Sequence, residues 1–385
     1  MNKETKTRLI QVVLLLVTLT TTTLAGTEWS LNKYIFANMS WSDFFAGFSF
    51  SVPFLTILTF HEFGHYFTAR YHKIKVSLPY YIPLWFGFIP GFPSIGTMGA
   101  FIRIREHIDS RMKYFDVGIS GPVAGFIVAL LVLFYGFTHL PDKEYIYKIH
   151  PEYLEYNSIE EAISSTEGMS VHLGGNLLFS FFKHYVADPE LLPHENEIMH
   201  YPWLLAGYLA LFFTALNLLP IGQLDGGHVL FGLVGPRKHA IISRVLFTCF
   251  VFYASLGWVT VHDLNDFTPD GITDFLIKIA AYLLIIYLSS YSVLKEKRDR
   301  LLYATSLLTA QFLVNMLTGW VGYEGWLLFS FILGRFLGVD HPLVSENKEL
   351  TTGRKILGWI ALIIFILCFS PQPLKMELTP GLATP

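Results

Sequence analysis

The sequence predicts an all-α, polytopic membrane protein with eight or nine transmembrane helices. Three observations support this fold class: 52% of the 385 residues are hydrophobic, 15% are charged, and the mean hydropathy is +0.46. An average soluble domain carries about a quarter charged residues. This composition, with a net charge of −3, excludes a disordered chain, a coiled coil and a nucleic-acid binder that works by bulk positive charge. Cys249 and Cys368 lie in apolar runs, which excludes a disulfide framework and a cysteine-based zinc site.

The individual spans follow from the length of the apolar stretches. A helix needs about 20 apolar residues to cross about 30 Å of hydrocarbon. Suitable stretches cover residues 9–26, 44–67, 114–137, 203–219, 240–259, 272–294, 301–337 and 356–369. The stretch 301–337 is long enough for two spans if it turns near residues 319–325, and otherwise for one tilted span and an interfacial piece. These two possibilities give nine or eight spans.

The orientation follows from the charges of the connecting segments. Residues 69–113 carry seven Lys/Arg and two Asp/Glu, whereas residues 138–200 carry three Lys, no Arg and eleven Asp/Glu. By the positive-inside rule, the first segment is cytoplasmic and the second external. The first span is expected to be a retained anchor; the alternative is a signal peptide, whose cleavage would leave the rest of the topology unchanged.

The second span carries three ionisable side chains within five residues: His61, Glu62 and His65. Ionisable groups inside a membrane are costly and mark functional sites by default. The two histidines are four residues apart, so on a helix they lie on one face and can bind one metal ion. H-E-x-x-H is the zincin pattern, in which two imidazoles bind Zn²⁺ and the glutamate takes a proton from water. A chance match is the alternative, but it leaves three polar groups in lipid unexplained.

A third metal ligand is expected, because catalytic zinc usually has three protein ligands and a water. His72 does not have the metzincin spacing, whereas Asp225 follows the break that Pro220 and several glycines make in the fourth span. Broken backbone at membrane depth is tolerated where it is buried in protein or lines a wet cavity. Both spans run from outside to inside with their motifs at the cytoplasmic end, so the ligands can meet at one depth. The alternatives are an Asx-turn or a helix cap for Asp225, and for His228 we favour a place outside the ligand set.

These motifs together resemble the site-2 protease family of intramembrane zinc metalloproteases. The matching segments are H-E-x-x-H at 61–65, G-I-S-G-P-V-A-G at 118–125, N-x-x-P-x-x-x-L-D-G-G at 217–227, and looser matches at 96–106 and 369–373. The resemblance covers residues 45–235 well and is closest to the branch without an obvious PDZ domain. Residues 138–200 show no PDZ pattern, which puts gating of the substrate by such a domain in doubt.

The resemblance implies a three-helix catalytic core and a role for each matching residue. His61, His65 and Asp225 are expected to bind one zinc ion, Glu62 to act as general base, and Asn217 to position the substrate or stabilise the oxyanion. The implied activity is zinc-dependent hydrolysis of a peptide bond within or beside a transmembrane segment. The implied partners are a single-span membrane-protein substrate and the lipid bilayer, with no nucleic acid.

A short cytoplasmic-side β-hairpin or re-entrant loop is predicted near residues 79–105. Residues 99–105 alternate in a period of two, which is typical of a strand. We expect this strand to bind the extended substrate through its edge, with contacts from Gly99, Phe101, Ile102 and Arg103. The alternative is a plain amphipathic hairpin on the membrane surface.

Three regions are expected along the chain: an anchor span with an external loop (1–43), the catalytic membrane core (44–235) and C-terminal membrane spans (236–385). The predicted location is the bacterial inner membrane, with the active site toward the cytoplasm. A zinc-binding transporter and an inactive scaffold are the competing functions. Transport has no need for Glu62 beside His61, and the intact motif argues against an inactive scaffold.

Overall fold

The computed structural model describes residues 2–89, 94–165, 168–264 and 268–379, and it is 68% helical. Its helices are α1 (Lys3–Leu31), α2 (Trp41–Ala46), α3 (Phe48–Tyr71), α4 (Arg111–Thr138), α5 (Tyr145–Ile149), α6 (Ile159–Ser165), α7 (Leu177–Tyr185), α8 (Pro202–Leu218), α9 (Asp225–Val234), α10 (Pro236–Ser255), α11 (Pro269–Ser289), α12 (Lys297–Thr318), α13 (Gly325–Ile332) and α14 (Thr352–Cys368). Short 3-10 turns cover Pro151–Glu155 and Glu195–His200 among others. The predicted helical fold class is confirmed.

Five helices in the described ranges are long and apolar enough to cross a membrane. They cover Glu4–Leu31, Trp41–Tyr71, Arg111–Thr138, Pro269–Ser292 and Lys297–Thr318. Other expected spans fall short: α8 and α14 have 17 residues each, about 26 Å at 1.5 Å per residue, and α10 is a continuous helix that carries Arg237, Lys238 and Arg244. The count of eight or nine spans therefore stays a prediction.

The chain divides into two compact units. The first comprises residues 1–108, 119–217 and 363–385, and the second comprises residues 109–118 and 218–362. The core of the first unit includes Phe50, Leu133 and Tyr208, and that of the second includes Phe247 and Tyr282, all with almost no exposed surface.

The predicted β-hairpin is present in the first unit. Strand β1 (Tyr80–Leu84) pairs antiparallel with β2 (Gly96–Phe101), with Tyr80 opposite Phe101 and a bulge between Ile82 and Pro83. Proline has no N–H to donate to a strand ladder, which explains an irregularity at this point. The regular strand ends before Ile102 and Arg103, so it begins and ends earlier than the alternation predicts.

The hairpin continues as a looser pairing with the segment that follows α3. The backbone N–H of Ser77 donates to the carbonyl of Arg103 at 3.0 Å, and the N–H of Arg105 donates to the carbonyl of Lys75 at 2.8 Å. Backbone groups of neighbouring residues in a strand point to opposite edges. Ile102 therefore directs its N–H and C=O to the edge away from Ser77.

The acidic segment 138–200 contains short helices and a strand of its own. Its helices pack Ile146, Tyr153 and Ala162 into a local core. Strand β3 (Gly168–Leu173) pairs antiparallel with β4 (Leu374–Thr379), with Leu173 opposite Leu374. The sequence does not predict this second sheet, because its strands are about 200 residues apart.

The residues that follow α14 are hydrogen-bonded to Gly174 in segment 138–200 and to Tyr208 in α8. The Gly174 N–H donates to the Pro373 carbonyl at 2.9 Å, and the Tyr208 hydroxyl donates to the same oxygen at 2.7 Å. The closing Phe-Ser-Pro-Gln-Pro motif at 369–373 thus connects α14 to β4.

Candidate metal centre

The H-E-x-x-H motif lies in the second half of α3, on buried surface. His61, Glu62 and His65 have exposed fractions of 7%, 5% and 7%. The Nε2 atoms of the two histidines are 3.1 Å apart, and the rings meet edge to face with centroids 4.8 Å apart. Glu62 Oε1 lies 4.0 Å from His61 Nε2. The helical spacing therefore produces the geometry that the sequence predicts.

Glycines on α3 and α4 allow the two helices to approach at this depth. A Cβ at Gly64 would lie 2.5 Å from the carbonyl oxygen of Ser120. A Cβ at Gly121 would overlap the His65 imidazole, and one at Gly125 would lie 3.1 Å from the Cβ of His61. The Gly121–Gly125 pair thus forms the surface on which both histidine side chains rest, in addition to bringing the helices close together.

The two imidazoles fit a zinc ion. Zinc binds imidazole nitrogen at about 2.0–2.1 Å with tetrahedral angles, which places neighbouring ligand atoms about 3.3 Å apart. The observed separation of 3.1 Å between the Nε2 atoms agrees with that edge.

The LDGG motif forms a helix start in the second unit. The chain leaves α8 at Leu218, turns through Gly222 with a φ of 60°, and enters α9 at Asp225. A Cβ at Gly226 would collide with the Leu218 carbonyl, and one at Gly227 with the Gly222 carbonyl. The glycines are therefore needed for the tight turn that places Asp225, which is half-buried, in the first turn of the helix.

His228 belongs to an aromatic cluster in the second unit. Its Nδ1 lies 2.8 Å from Nε2 of His341, and its ring stacks on Tyr114 at 5.1 Å. His341 also stacks on Phe231 at 3.7 Å, and its Nδ1 donates to the Pro342 carbonyl. Burial and the neighbouring His228 lower the pKa of His341 to about 3. Sequence reasoning missed His341, which lies in a loop without a motif.

The remaining predicted site residues are in the first unit. Asn217 is half-buried in the last turn of α8. Gly99 has a φ of 107° and open space around it, and Phe101 is 46% exposed and stacks on Tyr80. Ile102 is half-buried and Arg103 is exposed just beyond β2.

A helix that is long and apolar enough to cross a membrane thus buries H-E-x-x-H, the motif of the zincin class of metalloproteases, with its two imidazoles side by side. The family model of peptidase family M50 matches residues 49–255, more than half of the chain. The chain therefore belongs to peptidase family M50. The matched range contains the H-E-x-x-H motif, Asn217 and Asp225. This membership confirms the resemblance on which the sequence analysis relied.

Curated relatives agree with this family. The chain is 28% identical to the probable zinc metalloprotease EGY1, chloroplastic, of Arabidopsis thaliana over 203 residues. These residues are 53% of this chain and 31% of that protein. It is 26% identical over 189 residues to the probable zinc metalloprotease EGY2, chloroplastic, of Oryza sativa subsp. indica, which covers 49% and 30%. It is 23% identical over 194 residues to the probable zinc metallopeptidase EGY3, chloroplastic, of Arabidopsis thaliana, which covers 49% and 30%. No solved structure matches the chain.

Two further points follow from these relatives. The chain spans about a third of the length of the curated relatives it matches. Their names place them in chloroplasts, so they give no support to the predicted bacterial inner membrane, whereas an integral membrane protein is consistent with the family and the apolar helices.

The strands in the described ranges number four, in two separate sheets, so those ranges contain no PDZ domain.

Proposed function

We propose that this chain is a zinc-dependent intramembrane endopeptidase, which hydrolyses a peptide bond within or beside a transmembrane segment of a single-span membrane protein. The observation that carries the proposal is the buried pair His61–His65, 3.1 Å apart, with Glu62 beside it on a helix of membrane-crossing length. A structural membrane helix has no reason to bury these three side chains.

The ligand set of the proposal is His61, His65 and Asp225. Two imidazoles and a carboxylate are zinc ligands, and three protein ligands leave a position open for water. Bound zinc supplies Lewis acidity, which lowers the pKa of a coordinated water to about 7 and polarises the scissile carbonyl. The turn around Gly222 serves to present Asp225 as the third ligand.

Glu62 is the general base of the proposed reaction. It accepts a proton from the attacking water and delivers that proton to the nitrogen of the leaving amine. Glu62 directly follows His61 in α3, and its Oε1 lies 4.0 Å from His61 Nε2. The base is therefore adjacent to a proposed metal ligand. Asn217 donates its side-chain amide to the oxyanion or to the substrate backbone.

The substrate is proposed to bind as an extended strand along the hairpin. Peptide bonds inside a helix are shielded, so the cleaved segment must unfold locally before hydrolysis. The edge that carries the Ile102 backbone faces away from Ser77, and Phe101 exposes nearly half of its side chain beside it. Strand addition at this edge supplies backbone hydrogen bonds without requiring a particular substrate sequence, and contacts from Gly99 to Arg103 select among side chains.

In the membrane, the proposal places eight or nine spans around a three-helix catalytic core of α3, α4 and the α8–α9 region. The basic segment 69–113 and the motif end of α3 lie on the cytoplasmic side under the positive-inside rule. The acidic segment 138–200 lies on the opposite side.

The proposal is tested with Glu62→Gln in the full-length chain. Glutamine keeps the size of the side chain but cannot accept the proton, so zinc content should be unchanged while cleavage of a co-expressed single-span substrate disappears. Comparative membrane proteomics of wild type and variant should identify single-span proteins that accumulate in the variant. The exposed Glu155→Gln is the matched control and should cleave like wild type.

Two outcomes would contradict the proposal. Retained cleavage by Glu62→Gln would refute the role of the base. A wild-type protein that cleaves nothing but moves zinc across a vesicle membrane would replace hydrolysis with transport.

A further inference from the structure

A second group of metal-ligand side chains lies in the external segment, within the first unit. Residues 138–200 hold six of the fourteen histidines of the chain. Two of them, His150 and His200, come together with Glu197. His150 lies between α5 and the 3-10 turn Pro151–Glu155, whereas Glu197 and His200 are three residues apart in the turn Glu195–His200.

The three ligand atoms are spaced like those of a tetrahedral site. His150 Nε2 and His200 Nε2 are 3.2 Å apart, and Glu197 Oε2 lies 3.5 Å from His200 Nε2 and 3.9 Å from His150 Nε2. Zinc–ligand bonds of about 2.0–2.2 Å with tetrahedral angles require edges of roughly 3.3–3.6 Å. One ion can therefore reach all three atoms with small adjustments.

The outer contacts fix which atoms face the centre. His150 Nδ1 lies 2.7 Å from Glu152 Oε1, and His200 Nδ1 lies 3.2 Å from the Ser30 carbonyl. Both partners accept hydrogen bonds, so each Nδ1 can donate outward while the two Nε2 atoms, 3.2 Å apart, face the centre of the cluster. Metal-binding histidines regularly donate their second nitrogen to a carboxylate or a backbone carbonyl in this way.

Glu197 independently favours a cation ligand at this cluster. Its side chain is 4% exposed, and Oε1 accepts from the Tyr153 hydroxyl at 3.0 Å. Oε2, which faces the histidines, is buried and has no hydrogen-bond partner. A carboxylate oxygen that is buried without a hydrogen-bond partner is costly in free energy. A divalent cation would offset that cost.

We propose that His150, Glu197 and His200 form a second site for a divalent metal ion of the zinc type, separate from the H-E-x-x-H centre. The donor set of two nitrogens and one oxygen suits zinc better than the oxygen-seeking Ca²⁺ or Mg²⁺. His150 is the least buried of the three residues, and water completes the coordination on its side.

The proposed role of this ion is structural. It joins the start of the external segment at His150 to its end at His200, directly before α8. His200 also contacts the C-terminal part of α1, through the hydrogen bond between its Nδ1 and the Ser30 carbonyl. The metal thus closes the external segment into a loop whose two ends and α1 are held at one point.

The test uses full-length protein with His61→Ala and His65→Ala, which removes the first site. After stripping with a chelator, this protein should bind one equivalent of Zn²⁺ and gain thermal stability, whereas stripped wild type should bind two. Adding Glu197→Gln or His150→Gln should weaken the remaining binding at least tenfold. The exposed His184→Gln, in the same segment, is the matched control and should change nothing.

Zinc-edge X-ray absorption of the His61→Ala, His65→Ala protein tests the site even where a further substitution prevents folding. It should show nitrogen and oxygen ligands at about 2.0–2.2 Å and no sulfur. Absence of zinc binding by this protein would overturn the proposal and leave a proton-sharing histidine pair. Binding that survives Glu197→Gln at full affinity would overturn it as well. Neither result affects the proposed protease activity, which the Glu62→Gln experiment tests.

Discussion

Replacing Gly121 by alanine should inactivate the proposed enzyme without changing any polar group. The added Cβ would lie 2.5 Å from Cδ2 of His65 and closer still to Nε2, whereas ordinary contact begins near 3.4 Å. The imidazole must therefore move by about 1 Å or more. The backbones of α3 and α4 are in close contact along this stretch, because a Cβ at Gly64 would also lie 2.5 Å from the Ser120 carbonyl oxygen.

The size of the effect follows from this displacement. Functional groups must be held within about 0.5 Å of their productive geometry, and a misplacement of 1 Å can cost about 100-fold in rate. We expect Gly121→Ala to lower the cleavage rate about 100-fold and to reduce zinc retention during dialysis. Gly125→Ala adds a Cβ at 3.1 Å from the His61 Cβ, which neighbouring atoms can accommodate with shifts of a few tenths of an ångström. The cleavage rate of this variant should therefore fall much less than that of Gly121→Ala.

The assay is cleavage of a co-expressed single-span reporter, with zinc content measured on the purified protein. Gly175→Ala is the control, because a Cβ there has no atom within 4 Å. If Gly121→Ala cleaves and binds zinc as well as Gly175→Ala does, the reasoning about the glycine surface is wrong.

Two more predictions concern the substrate strand and the histidine cluster of the second unit. Ile102→Pro removes an N–H from the edge that faces away from Ser77, so cleavage should be abolished while zinc content stays at one equivalent per H-E-x-x-H centre; unchanged cleavage would refute strand addition. Because the folded-state pKa of His341 is about 3, below an unfolded value near 6.5, the unfolded chain takes up the proton first and stability should fall as the pH drops below about 6.5. The slope contributed by His341 is at most about 1.4 kcal/mol per pH unit, and thermal unfolding of His341→Gln should show a smaller pH dependence between pH 6.5 and 4. An identical pH dependence in the variant would contradict this assignment.

The parts that could be predicted from the sequence are those that local spacing determines. Helical periodicity alone places His61 and His65 on one face, and Pro220 with the following glycines indicates the turn that leads to Asp225. The prediction that Asp225 is the third ligand rests on the broken fourth span and the matching orientation of the two motifs, and the family resemblance implies the same role; spacing alone cannot say which distant carboxylate joins two histidines.

The parts that could not be predicted depend on pairing between distant segments. The β3–β4 sheet joins strands about 200 residues apart, and His150 meets His200 across 50 residues without a motif at either position. The contact of Gly121 with the His65 ring was equally hidden, because a glycine pair on a helix indicates close packing but not what packs against it. Such contacts are decided by tertiary structure, which neither periodicity nor composition records.

The pairing of β3 with β4 has a consequence for the order in which the protein can assemble. Translation at about 5–20 residues per second separates the emergence of Leu173 from that of Leu374 by roughly 10–40 s. Throughout that interval β3 lacks its partner strand, and the Tyr208 hydroxyl lacks the Pro373 carbonyl. The first unit, which contains the H-E-x-x-H helix, therefore cannot reach its final form until both α14 and β4 have been synthesised. The histidines of the H-E-x-x-H motif thus belong to a unit that stays incomplete during most of its own synthesis.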